Sequence, residues 1–356
     1  MSQSRVCVTR LSHVHYQYPN LEKSLSFLSD FGLESKRNDV SRVYLGGYGQ
    51  DPFLVIAEQS PDSKRHFIGG FWVVDSFEEL EKTSQLPSAT PIENLDAPGG
   101  GKVVRVTDPN GFIVGFVHGQ VLKKEVQDVS LEVHGESMNT ATVKTRRGQT
   151  RRFTPGPSPV HKLGHYGYTV PKSKFESTLD WYKTTLNLSP TDSVFDPATG
   201  KDETTFCHID LGSEYTDHHS FFINSGPEYV PPHIHHSSYE VSDFDTQSLG
   251  HDFLAEKGWV NCWGIGRHVL GSQIFDYWFD EAGNVVEHYS DGDLVNNLSP
   301  YTREAAAPSS LYIWGPNIPL AFLTGNVEDA GKEPPLPPNI VEGKPAQLSL
   351  ETAVAV

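Results

Sequence analysis

QIFDYWFDEAGNVVEHY, residues 273–289, reads as strand, turn and strand: two runs of aromatic and β-branched residues flank Glu281-Ala282-Gly283-Asn284 at the turn position. VVRVTDPNGFIVGFV, residues 103–117, has the same form, with Asp108-Pro109-Asn110-Gly111 supplying the turn. The two stretches stand at equivalent points of two halves. A repeat at that scale fixes the architecture before any single element does.

Working outward, four segments share one rhythm of strand, amphipathic helix and further strands. The first opens at RLSHVHYQY and enters NLEKSLSFLSDFGL, where Leu21, Leu25 and Leu28 recur at helical spacing and Gly32 stops the helix. The strands VSRVYLG and PFLVIAE follow. The second opens at FIGGFWVVDS, passes through the helix SFEELEKT and ends in residues 103–117. The third opens at KLGHYGYTV, with helix KSKFESTLDWYKTTLNL and strands TTFCHIDLG and HHSFFIN. The fourth opens at HIHHSSYEVSD, its helix FDTQSLGHDFLAEKG ends at Gly258, and it closes with residues 273–289. Four βαβββ modules, paired two and two, predict an α+β fold of two barrel-like domains, each sheet wrapping a cavity. The expected boundaries are an N-terminal domain 1–125, a linker 126–160, a C-terminal domain 161–325 and a Pro-rich tail 326–356. The basic run TRRGQTRR at 145–152 reads as a solvated connector in preference to a docking patch.

A chain of 356 residues suits two domains of ordinary size. Its formal net charge of -17 argues against nucleic acid or an anionic membrane as the main partner. Cys7, Cys207 and Cys262 are scattered and unpaired in pattern, which fits a reduced compartment and offers no zinc knuckle. The start, MSQSRVCVTR, has no apolar core of a leader, so a soluble, cytoplasmic protein is expected.

His165, His236 and Glu287 fall on the first strand of the third unit and on the first and last strands of the fourth. Two imidazoles and one carboxylate from separate strands are the donor set of a mononuclear non-haem Fe(II) site with positions left open. Strand parity sends neighbours to opposite faces, so only one of His235 and His236, and one of His218 and His219, is expected to face the cavity. His268 reads as a loop residue and Tyr277 as a residue of the next strand. Both are candidates for holding substrate oxygen, and a histidine of the 218–219 pair for moving a proton. Tyr166, Tyr168, Phe221, Phe275, Tyr277 and Trp278 supply aromatic surface that could line a pocket or simply form core.

With these residues assembled, the chain resembles the type I extradiol ring-cleaving dioxygenases of the vicinal oxygen chelate superfamily, the 2,3-dihydroxybiphenyl 1,2-dioxygenase type in particular. The resemblance runs over roughly residues 5 to 320. It rests on LGHY, HHSFF, IHHSSYEV, GRH with Tyr277 nine residues on, VVEHY, and YIWGP, in that order. It implies the glyoxalase/bleomycin resistance/extradiol dioxygenase fold. It further implies His165, His236 and Glu287 as ligands of Fe(II), with Mn(II) as the alternative, His219 as the acid–base residue, and His268 and Tyr277 on the substrate side. The implied reaction opens a catechol-type ring beside its diol with O2, in a homo-oligomeric enzyme. The N-terminal half looks like the metal-free domain, with Gly69 where His236 stands, Gly115 where Glu287 stands, and His13 alone. The loop VLGSQ after His268 departs from the biphenyl-type pattern, so substrate contacts there do not carry over. Alternatives are a glyoxalase-like isomerase or 2-oxo-acid-dependent dioxygenase, an oxygenase of larger polycyclic phenols, and a non-catalytic small-molecule binder.

Overall fold

The opening strand of each unit pairs in parallel with its closing strand, and this single rule generates both sheets. The first unit comprises β1 (Val8–Tyr18), α1 (Leu21–Asp30), β2 (Glu34–Asn38), β3 (Arg42–Gly46) and β4 (Val55–Gln59). The second has β5 (His66–Val74), α2 (Phe77–Thr83), β6 (Glu93–Asn94), β7 (Lys102–Thr107) and β8 (Ile113–His118). The third has β9 (Val160–Pro171), α3 (Phe175–Thr185), β10 (Leu188–Phe195), β11 (Asp202–Ile209), β12 (Thr216–Asp217) and β13 (Phe221–Gly226). The fourth has β14 (His233–Val241), α4 (Phe244–Glu256), β15 (Val260–His268), β16 (Ile274–Phe279) and β17 (Val285–Ser290). This computed structural model describes residues 5–124, 139–148, 150 and 153–334. Much of the expected linker, part of the basic run and most of the expected tail therefore lie outside the described residues.

Parallel pairs β1–β4, β5–β8, β9–β13 and β14–β17 close the units, and antiparallel pairs β1–β5 and β9–β14 join them two and two. The resulting orders are β2-β3-β4-β1-β5-β8-β7-β6 and, in the C-terminal half, a sheet whose centre runs β13-β9-β14-β17-β16. The α+β fold of paired modules expected from the repeats is borne out. Beyond the repeat pattern the structure adds β18 (Leu294–Val295), β19 (Thr302–Ala305), β20 (Tyr312–Trp314) and α5 (Leu320–Thr324). Of these, β19 adds a parallel edge to β10, and β20 an antiparallel edge to β15.

Local chemistry explains the boundaries. Asn20 and Asp243 cap α1 and α4, their side chains accepting from the N–H of Lys23 and Thr246. Asp108 and Asp280 do equivalent work in the two quoted turns. The Asp108 carboxylate accepts from the N–H of Asn110 and Phe112, and that of Asp280 from the N–H of Asn284. Gly111 and Gly283 take the positive φ these turns need, at 94° and 84°.

The largest buried cluster runs through both halves, with Tyr16 and Trp72 packed among Tyr166, Tyr168 and Phe221. Trp72 Nε1 donates to Tyr166 Oη at 3.1 Å, and Tyr16 Oη to Ser237 Oγ at 2.9 Å. Each half lends a helix to this seam: Phe31, at the end of α1, stacks on His288 at 3.6 Å, while Tyr182 of α3 donates to Asp108 at 3.0 Å. No helix among the described residues is long and apolar enough to cross a membrane.

Candidate metal centre and active site

Strand register brings the three expected donors together. Ser238 on β14 pairs with His165 of β9 on one side and with Glu287 of β17 on the other, and His236 pairs with Gly167 two residues along. Positions two apart share a face, so all three side chains enter the concave side of one sheet. His165 Nε2 and His236 Nε2 lie 3.2 Å apart, and Glu287 Oε2 lies 3.1 Å and 3.5 Å from them. Two ligands at right angles about an ion, with bonds of about 2.1–2.2 Å, stand about 3 Å apart. The three atoms therefore match one face of an octahedron. Among the described residues, this is the group of His, Cys, Asp or Glu side chains whose donor atoms converge.

The surroundings fit a cation. Glu287 is fully buried, and neither of its oxygens has an aligned hydrogen-bond donor. Burial alone would raise its carboxyl, but the imidazoles of His165 and His268 hold it well below the usual range, so it stands ionised beside them. Burial, aided by His235, pushes His236 well below its ordinary value and keeps its lone pair free. A buried carboxylate beside a neutral imidazole is a set that a divalent ion compensates.

His219 lines the same cavity, its ring 4.1 Å from that of His165 and 4.9 Å from that of Phe206. Burial, with His165 and His218 next in importance, pushes it well below its ordinary value. His218 and His219 follow β12 and precede β13, and of the two it is His219 that lines the cavity, as parity leads one to expect. His268 is not on a loop: β15 extends to include it, because its N–H bonds to the Gln273 carbonyl across the hairpin. Its Nδ1 donates to Leu311 O at 2.7 Å, which leaves Nε2 to accept from Tyr277 Oη at 2.9 Å. Tyr277 pairs in register with Glu287 and shares its face.

A further expectation fails. His235 lines the cavity together with His236, against the alternation rule, because the pairing of β14 with β9 shifts between Ile234 and His236 and leaves His235 on a bulge. Its Nδ1 lies 2.8 Å from His236 Nδ1, and burial lowers it to about 4. Neutral His235 can thus accept the Nδ1–H of His236, turning Nε2 of that residue toward the ion position. Nothing in the doublet itself signals this. The aromatics, which could line a pocket or form core, mostly form core. Tyr166, Tyr168, Phe221 and Trp278 face the shared core, one residue out of phase with His165, Gly167, Phe222 and Tyr277. Phe275 packs on Trp263 behind the cavity wall. The aromatic lining is instead Phe206, Phe222, Trp263, Tyr277 and Phe322.

In the N-terminal half, Phe71 occupies the position of Ser238 and stacks on His13 with ring centroids 4.2 Å apart. A Cβ at Gly115 would lie 1.9 Å from the Phe71 ring, and one at Gly69 1.8 Å from Ile113 O. A phenylalanine thus fills the space of the missing ligands, and His13 remains walled in.

His165 and His236 open on a cavity of about 150 Å³. Through Asn224, His235, Phe322 and Leu323 it adjoins a larger cleft of about 550 Å³ that reaches Arg65 and His66 of the N-terminal half.

No family model matches the chain. Over 325 residues it is 27% identical to Metapyrocatechase 2 of Cupriavidus necator, covering 90% of this chain and 93% of that protein. It superposes with a TM-score of 0.71 on the Mn(II)-bound glyoxalase from Novosphingobium aromaticivorans, at 19% identity over 87% of this chain and 92% of that one. On homoprotocatechuate 2,3-dioxygenase from Brevibacterium fuscum in complex with 3,4-dihydroxyphenylacetate the TM-score is also 0.71, at 15% identity over 91% and 94%. These findings bear out the resemblance drawn from the motifs, and the fold is that of the glyoxalase/extradiol dioxygenase group. Since the same fold carries both a glyoxalase and a dioxygenase name, the superpositions speak to architecture and the site must speak to chemistry.

Proposed function

We propose that this chain is an Fe(II)-dependent extradiol dioxygenase that opens the ring of a catechol-type substrate with O2. The observation that carries the reading is the buried His165–His236–Glu287 face, with His219, His268 and Tyr277 around one cavity. The metapyrocatechase relative, whose name refers to catechol, supports it over nine-tenths of the chain. When bound, a divalent iron ion supplies the route by which electron density passes from an electron-rich diol to dioxygen. The chain's own residues do the rest. Neutral His219 takes a proton from a diol hydroxyl and returns one to oxygen as the ring opens. Tyr277, its proton engaged by His268 Nε2, presents an oxygen that accepts from a substrate hydroxyl. Phe206, Phe222 and Trp263 hold the flat ring and keep water out. Mn(II) is the alternative ion for the same donors.

The test is anaerobic loading with Fe(II) or Mn(II), then addition of oxygenated catechols with absorbance and oxygen uptake followed together. Ring cleavage predicts one O2 consumed per diol and a yellow product. A small-molecule binder would consume no oxygen and retain no stoichiometric metal.

A second reading, an oxygenase for larger phenols, is favoured by the adjoining cleft. A substituent on the diol ring could extend past His235 and Phe322 toward Arg65. Comparing kcat/KM for catechol and for catechols bearing a second ring decides it: larger values for the bulkier diols support the reading, and their exclusion removes it.

A further inference from the structure

Behind His219 a line of buried polar groups leads away from the cavity. His219 Nδ1 lies 3.1 Å from His218 Nδ1, and His218 Nε2 lies 2.6 Å from Asp192 Oδ2. The other oxygen of Asp192 accepts from Thr302 Oγ1, across a sequence distance of 110 residues. His218, His219 and Asp192 are each 5% exposed. The segment is pinned on all sides: Thr191 Oγ1 donates to His218 O at 2.8 Å, His218 N donates to Asp293 O at 3.0 Å, and Gly271 lies against the His218 ring. A Cβ at Gly271 would come within 2.9 Å of that ring, and the residue also has a φ of +75°.

Hydrogen-bond polarity then runs one way. A carboxylate only accepts, so the proton between Asp192 and His218 sits on His218 Nε2. With a single N–H on its ring, spent on Asp192, His218 offers a bare Nδ1 acceptor, and the proton between the rings then sits on His219 Nδ1. The nitrogen left for the cavity is His219 Nε2, carrying its lone pair.

We propose that Asp192 and His218, with Thr302 holding the carboxylate, are positioning residues that fix His219 in the Nδ1–H tautomer, with Nε2 presented to the substrate. The proposal rests on the ring-cleavage reading with His219 as its acid–base group. It gives a role to β19, which brings Thr302 into register with Asp192. A carboxylate that sets the tautomer of a working histidine has a known parallel in serine proteases, where the Asp-to-Asn change leaves the geometry intact and costs about 10⁴ in kcat.

The test is Asp192→Asn in the full chain. An amide can donate as well as accept, so the line loses its direction. Turnover should fall by about 10²–10⁴ in kcat, with KM and metal content close to those of the native protein, and Asp192→Glu should recover part of the loss. Thr302→Val, near the protein surface, is the milder variant should Asp192→Asn fail to fold, with kcat expected to drop about fivefold. Independent of turnover, ¹⁵N-histidine spectra of the chain loaded with diamagnetic Zn(II) show which ring nitrogen carries the proton, the His219 signals being assigned by their loss in His219→Ala. Nδ1–H in the native protein, shifting toward Nε2–H in Asp192→Asn, supports the proposal. Nε2–H in the native protein, or full kcat in both the Asp192 and Thr302 variants, overturns it while leaving catechol cleavage standing. Native Nδ1–H with no turnover of any catechol would uphold the tautomer and sink the ring-cleavage reading instead.

Discussion

Glu287, His165 and His236 have no substitute among their neighbours, because each contributes its donor from a different strand. Replacing any one by Ala leaves two donors and a buried pair without the ion that balances it, so metal content after gel filtration should fall from near one per chain to near zero. Retention in all three variants would falsify the assignment. His219→Ala should differ in kind: metal is kept, since His219 is not among the converging donors, while kcat falls by on the order of 10²–10⁴. Stopped-flow turnover alongside metal analysis separates the two classes. The donors were legible in the sequence because chemically apt residues stood at repeat-equivalent strand positions. His235 was not, since a bulge is a property of pairing between two strands and leaves no mark in HIHHSS.

At the scale of elements, the two strand-turn-strand closures behave as one design used twice, and each buries an aspartate at the turn. Burial pushes the Asp280 carboxyl up to about 6 from an ordinary 3.8, and it raises Asp108 as well. A folded value above the unfolded one means that the neutral acid is favoured in the fold. Asp280 therefore contributes stability below about pH 4, and this is lost as pH rises through about 6. The difference amounts to about 3 kcal/mol. Asp280→Asn should flatten the stability profile between pH 4 and pH 7 by roughly that amount. Urea unfolding of both proteins across the range measures it, and parallel profiles would discard the burial argument. The sequence identified these turns from Asp, Asn and Gly at set positions. It did not disclose that the carboxylates are enclosed, because the covering groups come from the other half of the molecule, Tyr182 over Asp108 among them.

For the whole molecule, the seam between halves is the decisive structure. Phe31 stacks on His288, whose Nε2 donates back to Phe31 O at 2.7 Å, and the core passes without interruption from Tyr16 and Trp72 to Tyr166 and Phe221. The halves should consequently unfold together. Phe31→Ala is expected to cost about 3–5 kcal/mol and to lower the midpoint of a single calorimetric transition. Two resolved transitions in the native chain would show that the halves are separable. The sequence by itself determined the fourfold module, the pairing of units, and which half could hold an ion, because periodicity and donor chemistry are local properties of a strand. Only the tertiary structure decided which aromatics face the cavity, that Phe71 fills the vacant half, and that Asp192 and Thr302 stand behind His219. Those facts depend on strand register and on contacts between residues far apart in the chain, where a shift of one position turns a side chain to the other face.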